Sequence, residues 1–377
     1  MRSRPTLLVA GALALALGAT ACGASADADA KKPSAAASAT SAEAAGGMDA
    51  LIAAAKAEGQ LNVIALPRNW ANYGASIDKF KAKYGLKVVE ANPEGSSQDE
   101  ITAVKQLKGQ DRAPDVLDIG GAFAIQAAKD GLLAPYKVAT WADIPDGQKE
   151  SDGKYVQDYG GLISIGYDAA KVSPAPTSFA DLAKPEYKGK VALNGDPNKA
   201  GAAFAGVQAA SLAAGGSLDD IAPGIEFFGK LKKSGNFLPV AASPATIQSG
   251  QTPIVIDWDY TNLSAANELK GKVDWKIALP SDSKYATYYN QAVNANAPHP
   301  AAARLWQEWL FSDEGQNLFL QGSARPVRLD AMTKAGTIDK TAAAALPKVE
   351  GTVEFPTQEQ VDKAKTTLTQ TWAKSVG

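Results

Sequence analysis

From residue 48 onward, short apolar runs alternate with amphipathic stretches of helix length, and this pattern most constrains how the chain can fold. Residues 61–66 (LNVIAL), 86–91 (LKVVEA) and 116–119 (VLDI) are rich enough in apolar side chains to be buried strands. Helices are expected over 48–58, in the segment ending Phe80-Lys81-Ala82-Lys83-Tyr84-Gly85, and over 98–108. Gly59, Gly85, Gly109 and Gly131 stand where those helices should stop. A second set of strand-like runs follows at 162–167, 190–195, 252–257, 275–279 and 289–294, with helices over 200–214, 219–234 and 301–322. Such alternation predicts an α/β fold on mostly parallel sheet with crossover helices. Two sets of this kind imply two lobes and a cleft, because ligands sit beyond the carboxyl ends of the strands.

The N-terminus carries a different message. Arg2 and Arg4 precede an apolar run over 7–17, and Ala19-Thr20-Ala21 lead directly to Cys22. The run is too short to span a bilayer, so residues 1–21 are expected to be a cleaved export signal. Cys22 is the sole cysteine, which excludes an intramolecular disulfide and a cysteine-based metal site. Residues 22–47, dominated by Ala, Ser and Asp, are expected to form a flexible tether. With 377 residues, 45% hydrophobic content and a net charge of −2, the chain can build two domains and lacks the basic excess of a nucleic-acid binder. A monomer is expected.

Two resemblances sharpen this. Small residues followed by Cys22 resemble the bacterial lipobox, which implies a lipidated Cys22 and an extracytoplasmic protein anchored to the cell membrane. The stretches 80–91 (FKAKYGLKVVEA), 113–136 (APDVLDIGGAFAIQAAKDGLLAPY), 177–193 (TSFADLAKPEYKGKVAL) and 294–328 (NANAPHPAAARLWQEWLFSDEGQNLFLQGSARPVR) occur in a telling order and spacing. Together they resemble the solute-binding proteins of ABC importers, in the group of the spermidine/putrescine-binding and ferric-iron-binding proteins. The resemblance implies a two-lobed periplasmic-binding-protein-like fold of type II, with two crossings near Gly160–Gly166 and Tyr285–Asn290. Lobe 1 would comprise 48–160 and the return 289–377 with the C-terminal helices, and lobe 2 would comprise 161–288. The implied partners are a small polar solute, a membrane permease and its ATPase; no cofactor is implied.

Ligand residues follow from the same comparison. Asn69-Trp70-Ala71-Asn72-Tyr73 matches an element of the polyamine binders in which Trp70 stacks on the solute, and an indole face does attract an ammonium. Tyr73 belongs to that element. In PIVIDWDY (253–260), Trp258 falls at a stacking position, with Asp257, Asp259 and Tyr260 around it. Strand alternation puts Asp257 and Asp259 on one face and Trp258 on the other, unless the strand has already ended. Asp196 matches an acidic ligand position, and its alternative is to cap a helix with Pro197 as the first helical residue. The family's next acid is replaced by Lys199, which together with Arg68 leaves room for an anionic group. Ser96 and Ser97 precede a helix, and Ser97 with Glu100 fits a capping box. Gly120 and Gly121 would let backbone approach a ligand. Tyr288 and Tyr289 lie at the second crossing, where Tyr289 stands in place of an acid of the polyamine binders.

Nothing points to an enzyme: His299 is alone in a surface-like turn, and no nucleophile elbow, HExxH, P-loop or EF-hand occurs. Tyr260 is followed by Thr261 rather than a second Tyr, which argues against a ferric site. The expected cargo is a small amine-bearing solute, polyamine-like, with a zwitterion such as 2-aminoethylphosphonate as the alternative. A ligand-sensing lipoprotein is the alternative role. The Cys22→Ser chain, expressed in a Gram-positive host, is expected to lose its lipid and appear in the medium; retention on the membrane would refute the anchor.

Overall fold

The computed structural model describes residues 35–377; the expected signal, Cys22 and the first part of the tether lie outside the described residues. In chain order the elements begin with α1 (Met48–Glu58), β1 (Gln60–Ile64), α2 (Tyr73–Tyr84), β2 (Lys87–Ala91), α3 (Ser97–Gln106) and β3 (Val116–Ile119). Then come α4 (Gly121–Lys129), β4 (Leu133–Ala134), β5 (Val156–Asp168), β6 (Val191–Leu193), α5 (Gly201–Ala213) and α6 (Ala222–Ser234). Next are α7 (Pro244–Ser249), β7 (Ile254–Trp258), α8 (Asp259–Glu268), β8 (Trp275–Ala278) and β9 (Ala286–Asn294). The chain closes with α9 (Pro300–Leu310), α10 (Asp313–Gln321), β10 (Arg325–Pro326), α11 (Leu329–Ala335), α12 (Lys340–Ala345) and α13 (Gln358–Ser375).

The sheet is not mostly parallel as the alternation suggested. Only β1–β2 and β6–β7 pair parallel among the described strands, whereas β3–β9, β5–β9, β5–β7 and β5–β8 are antiparallel. The reason is that β5 and β9 are long. β5 holds β9 and β10 along its first part, and β7 and β8 along its second. One sheet, ordered β3-β9-β5-β7-β6, thus carries two half-sheets with separate sets of helices. The expected single helix over 301–322 is two, broken where Ser312 caps α10 by accepting from the Gly315 N–H at 3.1 Å.

Aromatic packing builds the first half. Phe80 of α2 meets the Trp306 ring edge-on at 5.0 Å, and Tyr73 packs edge-on against Tyr159 and Phe319. In the second half, Phe228 of α6 packs on Phe237 and on Trp372 of α13. α13 also reaches the first half, where Lys129 of α4 pairs with Asp362 at 2.8 Å. The C-terminal helix therefore lies across both halves instead of returning wholly to the first.

The tether is shorter than expected. Ala36, Ala39, Ala42 and Ala45 are buried, the Arg304 guanidinium donates to the Ala39 carbonyl at 2.6 Å, and the Lys137 N–H donates to the Thr40 carbonyl at 2.8 Å. Small alanines that look unable to make a core of their own bury themselves in a groove already built by α1 and α9. Among the described residues no helix is long and apolar enough to cross a membrane. A chain starting at Met48 is expected to lose about 2 kcal/mol of stability relative to one starting at Ser34, measured by urea unfolding; equal midpoints would mean the docked segment contributes nothing.

Candidate functional site

Where the two half-sheets meet, the ends of β3, β6 and β7 border a cavity of about 540 Å³. Its first wall comes from Trp70, from the start of α3 and from Asp118 of β3; its second wall comes from the 194–202 segment, Asp257 and the apolar side chains of Ile247, Val255 and Ala265. Asp118 and Asp257 each stand one residue before the end of a short, otherwise apolar strand, at the end where the cavity lies.

Three acids of the wall are buried. Asp118 accepts from the Tyr159 hydroxyl at 2.6 Å through Oδ2, while its buried Oδ1 has no partner. Glu100 accepts from the Asp118 N–H at 2.9 Å, and Asp257 accepts from the Trp258 N–H at 2.7 Å and from Asn194 at 2.9 Å. Burial pushes the Asp118 carboxyl up to about 7, against the hydrogen bond from Tyr159. Burial pushes Asp257 up to about 7 as well. Glu100 is raised well above the usual carboxylate range by burial and then by the charge of Asp118.

Trp70 stands at this wall half-buried. Its Nε1–H donates to the Tyr159 hydroxyl at 2.7 Å, so a relay runs from Trp70 through Tyr159 to Asp118. Tyr260 and Tyr289 hold the indole edge-on at 5.6 and 5.5 Å. The ring is thereby fixed before any solute arrives.

Of the residues singled out in the sequence, Trp70, Ser96, Ser97, Asp196, Asp257 and Tyr289 border the cavity, as does Lys199. Their local roles partly differ from expectation. The capping box is formed by Ser96 with Asp99, one residue earlier than the Ser97–Glu100 pairing, and Ser97 accepts instead from the Gly120 N–H at 3.2 Å. No helix begins at Pro197; Asp196 accepts from the Asn198 N–H at 2.9 Å in a turn, and α5 begins at Gly201. Lys199 is 62% exposed in its side chain and 3.9 Å from Asp196.

The others lie elsewhere. Tyr73 is fully buried, accepting from Gln291 at 2.7 Å. Trp258 and Tyr260 are buried and stacked on each other at 6.3 Å, away from the cavity lining. The strand does end at Trp258, and Asp259 turns inward to an ion pair with Arg325 at 2.6 Å. Gly120, Gly121 and Tyr288 border a second, far smaller hollow, and Tyr288 also stacks on Phe355. Arg68 is spent on Asp78 and Glu90, at 2.5 and 3.0 Å, and does not line the cavity. His299 is not a free surface residue: its ring Nδ1 lies 2.9 Å from Asp115, which holds its pKa above the ordinary value.

Asp118, Glu100 as a wall residue, and Asn194 were missed as site residues. The available signal for Asp118 was an acid inside a four-residue apolar strand, VLDI, with a glycine pair directly after it. Among the described residues no three His, Cys, Asp or Glu side chains converge closely enough to hold a metal ion.

A model of the bacterial extracellular solute-binding family matches residues 111–350. Among solved structures, the chain is similar to AfuA from Actinobacillus pleuropneumoniae with exogenous fructose-6-phosphate bound, at TM-score 0.66 and 16% identity, covering 84% of this chain and 98% of that one. It is similar to iron-bound HitA from Pseudomonas aeruginosa at TM-score 0.61 and 20% identity, covering 84% and 99%. The ferric binding protein from Campylobacter jejuni aligns at TM-score 0.60 and 16% identity, covering 84% and 99%. No curated protein sequence matches the chain. Likeness at these identities establishes the fold, that of the two-lobed periplasmic binding proteins.

The raised carboxyls make stability fall with pH. Between about pH 4 and 7 the folded chain keeps protons on Asp118 and Asp257 that the unfolded chain has released, so the unfolded state gains relative stability as pH rises. His299, raised by Asp115, acts in the same direction, since its contribution is lost as pH rises through its folded value. The solute-free protein is expected to melt several degrees higher at pH 5 than at pH 8 in scanning calorimetry; a higher melting point at pH 8 would show these groups to be charged and compensated.

Proposed function

The chain belongs to the family of bacterial extracellular solute-binding proteins, and on that premise we propose that it captures a small amine-bearing cation, polyamine-like, for delivery to an ABC permease. In this reading lobe 1 is 48–160 with the return from 289, lobe 2 is 161–288, and a lipidated Cys22 holds the body outside the cytoplasm. The observation that carries the cation is the charge at the cavity. Six of its charged side chains are acids (Glu94, Asp99, Glu100, Asp118, Asp196 and Asp257) and one, Lys199, is basic.

The three buried acids are bonded to neutral donors only, and burial raises all three, so a bound cation would supply the counter-charge that favours their ionised form. A buried carboxylate with a lone pair unmet is costly until a cation arrives. An ammonium satisfies it by a charge-assisted hydrogen bond, and Trp70 adds a ring face for the same cation or for its methylene chain. An anionic head would meet Lys199 alone, because Arg68 is already paired with Asp78 and Glu90. The iron and sugar phosphate named for the neighbours are therefore not carried over to this chain.

Titration with spermidine, putrescine and 2-aminoethylphosphonate, followed by calorimetry, tests the reading. Spermidine or putrescine is expected to bind, and Trp70→Ala and Asp118→Asn are each expected to weaken binding about tenfold or more. Affinity should fall as pH drops below about 7, where Asp118 and Asp257 take up protons that the cation must displace. Binding of 2-aminoethylphosphonate alone, insensitive to Asp118→Asn, would replace the cation reading with an anionic one.

A further inference from the structure

Two glycines meet across the cleft with no side chain between them. Gly120 precedes α4 in the first lobe, and Gly201 opens α5 in the second. A β-carbon on Gly120 would stand 2.9 Å from the Gly201 Cα, and one on Gly201 would stand 3.1 Å from the Gly120 Cα and from the Tyr289 hydroxyl. The backbone of Gly120 lies at φ −61° and ψ 151°, a conformation open to alanine. Only the other lobe forbids a methyl group there.

Beside this contact, the Gln98 N–H donates to the Lys199 carbonyl at 3.1 Å. Gln98 is the second residue of α3, where an amide has no acceptor within its own helix. Its one hydrogen bond crosses the cleft. On the opposite rim, Asn69 donates to Glu268 at 2.7 Å and the Ser264 hydroxyl donates to the Asn69 carbonyl at 3.0 Å, joining the Trp70 loop to α8. Behind the glycines, the Lys365 ammonium of α13 lies 4.3 Å from the Phe123 ring of α4 and 5.7 Å from that of Phe204 of α5. The same ammonium donates to the Asn198 carbonyl at 2.6 Å, in the loop that presents Asp196.

We propose that the Gly120–Gly201 approach is the closing seam of the cleft. The missing β-carbons let the starts of α4 and α5 come together far enough for Gln98 to bond Lys199 and for Asn69 to bond α8. That approach sets Trp70 and Asp118 of one lobe against Asp257 and Asn194 of the other. Gly120 and Gly201 are positioning residues, acting through the distance between lobes rather than through a contact with the solute. The sequence alone suggested that Gly120 and Gly121 lie bare for a ligand; the geometry points to a bare surface for the other lobe.

The seam rests on the two-lobed fold and not on the identity of the solute, so its test needs none. Amide hydrogen exchange of the full chain, resolved at Gln98, reads closure directly. In the wild type the Gln98 amide is expected to exchange at least about tenfold slower than an exposed amide, because a population closed nine-tenths of the time protects it that much. In Gly120→Ala, and independently in Gly201→Ala, it should return to the exposed rate while the amides of β3 and β9 stay protected. Spermidine affinity, measured in parallel, should fall in both variants if the amine reading also holds, and that arm bears on the cargo only. An unprotected Gln98 in the wild type, or equal protection in both variants, would overturn the seam. So would loss of β3 and β9 protection, which would show the glycines to be required inside their own lobes.

Discussion

The antiparallel pairing of β5 with β9 is the constraint on which the other features depend. Leu162 pairs with Ala286, Gly160 with Tyr288 and Gln157 with Asn290, so β9 runs along the first part of β5, and β5 continues from there into the other half-sheet. Each half hangs its remaining strands on this pair: β3 on β9, β7 and β8 on β5. Two covalently continuous strands can bend about their own dihedrals without breaking either core, which is how two-lobed binding proteins close. The acids of the cavity then follow. Asp118 sits on the strand beside β9 and Asp257 on the strand beside β5, so the two carboxylates face a shared gap from opposite sides of one hinge.

The cavity wall is built on unfavourable burial. Asp118, Glu100 and Asp257 are nearly inaccessible, and none has a cationic side chain as its bonded partner. A chain selected for stability alone would place amides or apolar groups there. By contrast Asp259, equally buried, carries Arg325 as a permanent partner and belongs to the scaffold. The same residue type in one seven-residue stretch, 253–259, thus serves two ends. The difference is whether the fold itself supplies a counter-charge: Arg325 does so for Asp259, and no cationic side chain does so for Asp257.

The sequence made the general plan legible because apolar runs of strand length and amphipathic stretches of helix length are local properties. The runs at 116–119, 275–279 and 289–294 fall on β3, β8 and β9 within a few residues. The parallel reading failed because strand direction is a long-range property: β5 and β9 choose their partners through the hinge, which no local period encodes. Burial of the alanines in 35–47 was hidden for a similar reason. Their groove is made by helices far along the chain, and nothing in an Ala- and Ser-rich segment announces it.

At the site, residue types were legible and directions were not. Aromatic and acidic side chains in the loops after strands marked the right region, and Trp70, Asp196 and Asp257 do border the cavity. Yet Tyr73, Trp258 and Tyr260 are core, and Asp118 went unseen within an apolar strand. By itself the sequence determined the two α/β sets, the helix ends at glycine and the stock of acids and rings available to a cleft, since each follows from local chemistry. Only the tertiary structure decided which acids lack a counter-charge, which rings form a wall rather than a core, and why two glycines stand where two helices begin. Those depend on what approaches from elsewhere in the chain, and approach is a property of the folded molecule alone.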